Sequence, residues 1–231
     1  MQVLLLSSSK LGATPYLEHT LPFITDFIGN KTDEILFIPY AGTKGGYDAY
    51  EEKVANAMAS TGYKIASIHH AADPIQAVHN AKAILVGGGN TFALLAALEE
   101  HGLIKAIQER VTSGTPYIGW SAGANVAGLS IKTTNDMPIC QPQSFDALKL
   151  VPVHLNPHFT DQTIDGHNGE SRSERLEEFH YMNPTETVLA LPEGCGVKWD
   201  GDQFASIGHK ANLLITQDSR VDIAPQSFFR S

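Results

Sequence analysis

The chain has 231 residues, 42% of them hydrophobic and 18% charged, which is enough to bury one substantial core with no linker-like stretch to divide it. With 16 Lys and Arg against 25 Asp and Glu, the formal net charge of -9 excludes the clustered basic surface that nucleic acid or an anionic membrane requires. The same field repels anionic small molecules, so an acidic substrate would need a local arginine to reverse the sign.

The first predicted strand, "QVLLLS", has too short an apolar run, and no basic segment before it, to act as a secretory signal. No stretch approaches the ~20 apolar residues of a membrane span, so a cytosolic protein is expected. Further short apolar runs, "EILFIPY", "YKIASIH", "AKAILVGGG" and "PYIGWS", alternate with segments of helical spacing: "PYLEHTLPFITDFIG", "YDAYEEKVANAMASTG" and "TFALLAALEEHGLIKAIQERVTSG". That alternation predicts an α/β fold, a mostly parallel doubly wound sheet flanked by helices, with a ligand crevice where loops leave the carboxyl ends of the strands. After "TTNDMPIC" come a Pro-rich bend, the apolar "LKLVPVHLNPHF", a polar glycine-containing loop "TDQTIDGHNGES" and a helix "RSERLEEFHYM". "ETVLALPEG", "GVKWDG", "QFASIG" and "ANLLITQ" then predict mixed or antiparallel closing strands. A single domain over residues 1–231 is expected. Cys140 and Cys195 lie far apart in a chain that needs no staple, so both are expected to be reduced and packed.

Three strand ends carry chemistry. Gly119-Trp120-Ser121-Ala122-Gly123 fits the G-x-S-x-G elbow, in which a serine on a tight strand-to-helix turn is strained and its hydroxyl exposed. An ordinary strand-helix junction is the competing reading. Gly87-Gly88-Gly89-Asn90 follows "AILV"; it is neither G-x-G-x-x-G nor a P-loop, and it suits an oxyanion donor or simply a tight turn. A serine needs a base, and of ten histidines His158, fixed behind Pro157 in a loop at a strand end, is the leading candidate. His154 lies four residues before it, but Pro152 and Pro157 argue against a helical metal pair. His69 and His70 follow a strand as surface or supporting residues. The orienting acid is left open between Asp136 in "TTNDMP" and Glu193 in "LPEG". Ser171 and Glu174 form a capping box that makes Arg172 the first residue of a helix, where a cation opposes the dipole unless an anion neutralises it. A solvated pair with Glu170 or Glu174 explains Arg172 equally well.

Taken together, "GGGNTF", "GWSAGAN", "TTNDMPI", "NPHF", "GHNGESRSER" and "LPEG" resemble the peptidase E family, the α-aspartyl dipeptidases, from "LLLSSS" to about the last strand-like segment. The resemblance implies a fold akin to class I glutamine amidotransferases and a cytosolic serine peptidase without metal or other cofactor. Its partners would be small Asp-X peptides, and a homodimer is compatible with it. Carried over by position, Ser121 falls on the nucleophile and His158 on the base. Glu193 is the favoured third member, with Asp136 kept in the site. Gly88, Gly89 and the Ala122 N–H fall at the oxyanion, and Arg172 falls on the reader of the substrate aspartate. Glu170 is offered as the partner of the substrate amino group. A carboxylesterase-like hydrolase and a non-catalytic binder of an acidic metabolite are the rival expectations.

Overall fold

The computed structural model describes residues 1–162 and 168–231, so the centre of the "TDQTIDGHNGES" loop lies outside the described residues. The first half alternates as the apolar runs predict. Strands β1 (Val3–Leu6), β2 (Glu34–Ile38), β3 (Lys64–Ser67), β4 (Ile84–Val86) and β5 (Tyr117–Trp120) are joined through helices α1 (Leu21–Ile28), α2 (Gly46–Met58), α3 (Pro74–Asn80), α4 (Thr91–Glu100) and α5 (Leu103–Thr112). A short α6 (Ala122–Asn125) follows β5. The second half contributes β6 (His154–Phe159), α7 (Arg172–Met182), β7 (Val188–Pro192), β8 (Gly196–Trp199), β9 (Phe204–Ile207), β10 (Asn212–Ile215), β11 (Arg220–Ile223) and β12 (Phe228–Phe229).

Two helical boundaries differ from the sequence pattern. The long segment read as one helix is broken at Gly102, whose φ of +66° ends one right-handed run before Leu103 begins the next. Helix α3, which the apolar spacing does not announce, begins at Pro74 behind Asp73, whose carboxylate accepts from the Gln76 amide at 2.9 Å.

Among the described residues the strands form two sheets. The larger has the order β12-β9-β8-β1-β5-β4-β2-β3 and the smaller β11-β10-β7-β6. From β1 to β3 the larger sheet is parallel throughout, while β8, β9 and β12 extend it in antiparallel sense. Successive β1 residues divide between two cores, as the period of two requires. Leu4 and Leu6 pack with Ile24 and Ile28 of α1 and Val54 and Met58 of α2. Val3 and Leu5 share a core with residues of α4 and α5 such as Leu94, Leu98 and Ile107. Leu155, Leu189 and Leu191 of the smaller sheet join that second core, while Val188, Ala190 and Leu213 turn towards Leu176 and Phe179 of α7. The smaller sheet thus lies between α7 and the central body. Each fully buried aliphatic residue contributes roughly 1.5–3 kcal/mol, so the seam between the sheets is firmly held. Of the two thiols, Cys195 is buried, but Cys140 is exposed on the Pro-rich bend, against the expectation that both pack.

Candidate active site

Ser121 follows β5 directly and takes φ 53°, ψ -115°, a conformation L-residues seldom adopt. Two features hold it there. Its N–H donates to the Leu6 carbonyl at 3.0 Å, and its carbonyl accepts from the Ala124 and Asn125 amides at 2.9 Å. The flanking glycines are a steric necessity, because a Cβ on Gly119 would fall 2.2 Å from the Gly123 carbonyl oxygen and one on Gly123 would fall 2.2 Å from that of Val86. The G-x-S-x-G pattern therefore records a turn packed too tightly for side chains on either side of the serine.

His158 lies within β6, not in a loop beyond it as the sequence suggested. It occupies an irregularity where the β6–β7 register shifts between Pro157 and Phe159, with φ 58°. Such a bulge re-aims one side chain out of the sheet. The His158 amide donates to Ser7 Oγ at 2.9 Å, and Ser7 Oγ donates to the Leu191 carbonyl at 2.8 Å, so one hydroxyl at the end of β1 fixes both β6 and β7. The imidazole Nε2 stands 2.8 Å from Ser121 Oγ and Nδ1 2.6 Å from Glu193 Oε1. Burial pushes the Glu193 carboxyl up, but hydrogen bonds from His158 and Ser8, together with the positive charge of Arg172, outweigh it and hold the group below its ordinary range. Glu193 is thus ionised and takes an N–H from the face of the ring opposite Ser121.

Asp136, the other candidate acid, is held elsewhere. Its Oδ2 accepts from the Thr91 amide at 2.7 Å and from Thr91 Oγ1 at 2.6 Å, which places it at the N-terminus of α4 while it still lines the cleft containing Ser121 and His158. That cleft has a volume of about 610 Å³. On its other side run Ala41 to Lys44, Tyr50 and Lys53. Tyr50 donates to the Gly88 carbonyl at 2.8 Å and so fixes the glycine loop against α2. At Gly89 φ is +146°, and a Cβ there would lie 2.0 Å from the Ala41 carbonyl oxygen; a Cβ on Gly88 would lie 2.9 Å from that of Ser121. Neither the Gly88 nor the Gly89 amide has a backbone acceptor among the described residues. The Ala122 N–H, first in α6, lacks an intrahelical acceptor by geometry. Three unpaired amides therefore lie around the serine.

The capping box at Ser171 is complete, and it leaves Arg172 where the sequence placed it, first in α7. Neither proposed carboxylate partner reaches it. Glu174 is engaged by the Ser171 amide and hydroxyl, and Glu170 is exposed, 4.0 Å from Arg175 and not among the residues lining the cleft. Arg172 Nη1 is buried with no hydrogen-bond partner among the described residues. Burial, then repulsion from Arg175, lowers its pKa, while the carboxylates of Glu193 and Asp136 act in the opposite sense. His154 is buried between Ser130 Oγ, at 3.1 Å, and Glu186 Oε2, at 3.0 Å, apart from the cleft. Ser7, Ser8 and Tyr50 were not anticipated. The three consecutive serines at the carboxyl end of a strand were the available signal for the first two.

The model of peptidase family S51 matches residues 3–207. Over 224 residues, 96% of this chain and 96% of the relative, the sequence is 50% identical to a Peptidase E of Pasteurella multocida (strain Pm70). It is likewise 50% identical over 214 residues to a Peptidase E of Haemophilus influenzae (strain ATCC 51907 / DSM 11121 / KW20 / Rd), covering 92% of this chain and 98% of that one. The same fold occurs in a peptidase from an acI-B1 Actinobacterium, with a TM-score of 0.72 at 18% identity over 100% of this chain and 96% of that one. A putative Peptidase E protein from Listeria monocytogenes EGD-e gives a TM-score of 0.66 at 24% identity, covering 90% of this chain and 98% of that one. With a family match across most of the chain and relatives at half identity, the protein belongs to peptidase family S51.

Proposed function

We propose that this peptidase is a cytosolic serine dipeptidase that cleaves the bond after an N-terminal aspartate through an acyl-enzyme. The observation that carries this reading is the continuous hydrogen-bonded line Ser121–His158–Glu193, together with Arg172, whose Nη1 is buried without a hydrogen-bond partner among the described residues and whose charge interacts with Glu193 and Asp136. His158 Nε2 takes the Ser121 proton as Oγ attacks the aspartyl carbonyl carbon, and Glu193 stabilises the imidazolium that forms. The carbonyl oxygen, now negative, is met by the amides of Gly88, Gly89 and Ala122, which need no reorganisation. His158 then protonates the leaving amine, and water, activated by the same ring, releases aspartate. Arg172 holds the substrate's β-carboxylate in a strongly acidic protein that would otherwise repel it. The chain order Ser121, His158, Glu193 differs from the Ser…Asp/Glu…His order of α/β-hydrolase esterases, which disfavours the ester reading.

The direct test compares hydrolysis of an Asp-Leu dipeptide, Leu-Leu and a short-chain ester; preference for the ester would refute the peptidase mechanism. The acid is assigned by a pair of variants. Glu193→Gln should lower kcat by about 10²- to 10⁴-fold, because the amide cannot stabilise imidazolium. Asp136→Asn should cost less than about tenfold in kcat and show mainly as a Tm a few degrees lower, from a weakened α4 N-terminus. The opposite ranking would move the acid role to Asp136. Since the Glu193 carboxyl is depressed when folded, its stabilising contact is present above the ordinary glutamate range and is lost only as pH falls through the depressed value. Glu193 therefore sets no limb of the activity profile near neutrality.

A further inference from the structure

Helix α2 has a second face. Ala49, Tyr50 and Lys53 line the cleft, whereas Asp48 and Glu51 point about half a turn away, towards a 3-10 turn at Ile68–His70 that follows β3. There Asp48, Glu51, His69 and His70 bring one ligand atom each to within 4.8 Å of one another. His69 Nε2 lies 2.8 Å and His70 Nε2 3.5 Å from Asp48 Oδ1, and His70 Nε2 lies 2.8 Å from Glu51 Oε2. We propose that these four side chains bind a divalent transition-metal ion, zinc being the best fit, in a structural site separate from the catalytic cleft.

Three observations support the site. The first is donor spacing: a tetrahedral zinc with bonds of about 2.0–2.1 Å separates its donors by roughly 3.3 Å, and the present donor pairs, the shortest at 2.8 Å and none beyond 4.8 Å, lie on either side of that value. The second is the surrounding support. His69 Nδ1 is 2.6 Å from Ser67 Oγ, which fixes the ring with Nε2 facing the cluster, and Glu51 Oε1 accepts from the Ser67 amide at 2.9 Å, leaving Oε2 for the ion. One residue at the end of β3 therefore orients two ligands. The third is charge. The imidazole centroids are 3.9 Å apart, so two protonated rings would repel, while two neutral rings leave two carboxylates side by side. A dication with two neutral imidazoles and two carboxylates is electrically balanced. On binding, each imidazole stays neutral: Nε2 gives its lone pair to the ion and the ring proton sits on Nδ1, which His69 donates to Ser67 Oγ. The reaction proposed for the cleft needs no metal, and this ion takes no part in it; it ties the first turns of α2 to the end of β3.

The experiment is titration of the EDTA-treated full-length protein with zinc chloride by calorimetry, with thermal unfolding alongside. The wild type is expected to bind one equivalent at micromolar Kd or tighter and to gain roughly 5–10 °C in Tm at saturating zinc. Asp48→Asn, a near-isosteric change at an exposed side chain, and His70→Ala should each weaken binding at least tenfold and remove the Tm gain. His158→Ala should leave zinc binding unchanged, which excludes the catalytic histidine as its ligand. No binding below about 100 µM in the wild type, affinity unaltered in both cluster variants, or loss of binding in His158→Ala would overturn the proposal. Because Asp48→Asn conserves shape, a failure of His70→Ala to fold would not remove the test.

Discussion

Ser121→Ala lowers kcat on an Asp-X dipeptide by about 10⁶-fold and leaves dipeptide binding within a few-fold of wild type; this is the largest expected effect. The hydroxyl is the only atom removed, and the amides around it, the His158–Glu193 bond and Arg172 remain in place to bind the substrate. Kinetics on the variant paired with calorimetry of dipeptide binding measure both halves. A variant that keeps substantial turnover would show that another nucleophile operates. Ser121→Gly adds an independent check. At φ 53° a side chain is strained by roughly 1–3 kcal/mol, which glycine relieves, so this variant should be as inactive as alanine and yet more heat-stable than the wild type. Gain of stability on loss of the nucleophile would show that the fold holds Ser121 against its own preference.

The second large effect concerns Arg172. Arg172→Met is expected to lower kcat/KM for Asp-Leu by about 10²- to 10⁴-fold, the size of losing one partner of a buried, hydrogen-bonded ion pair. Activity on Leu-Leu, already low, should hardly change. Arg172→Lys should not restore the Asp preference, because an ammonium lacks the planar fork that matches a carboxylate. Stability supplies the control. A half-buried guanidinium whose Nη1 has no hydrogen-bond partner among the described residues adds little stability to the free protein, so Arg172→Met should hold or raise Tm, whereas an arginine with a purely structural role would lower Tm and depress both substrates alike. Unchanged Asp-Leu kinetics would remove Arg172 from the site.

Local physics made the first half of the fold readable. The central strands β1, β4 and β5 are short apolar runs buried along their whole length, β2 and the edge strand β3 are partly buried, and each ends near a turn residue, so β1 to β5 could be read from their residues alone. Helix α3 was missed because seven residues are too few for an amphipathic repeat to emerge. The exposed edge strand β11 carries little apolar signal, and β12, two phenylalanines long, is too short to read as a strand. In the site, Ser121 was legible because its turn dictates the glycines on either side. Arg172 stood out because a cation at a helix start lacks a local reason. Glu193 and Asp136 could not be separated, since both sit at turns and the choice depends on which strand end faces the bulge at His158. The run of serines after β1 marked Ser7 and Ser8 as polar residues at a strand end but not their role, because their partners, Leu191, His158 and Gly194, are brought to them only by the docking of two sheets.

That docking also sets when the enzyme can act. The proposed nucleophile Ser121 stands at the end of β5 in the larger sheet, whereas the proposed base His158 lies in β6 and the proposed acid Glu193 directly follows β7 of the smaller one, the histidine 37 residues later in the chain and the glutamate 35 beyond that. During synthesis at roughly 5–20 residues per second, the serine leaves the ribosome seconds before the groups that activate it. A chain that has not yet reached Glu193 therefore carries a silent hydroxyl, because the pair proposed to activate it is still missing. The seam between the sheets thus makes completion of the proposed site depend on the docking of the second half of the chain onto the first.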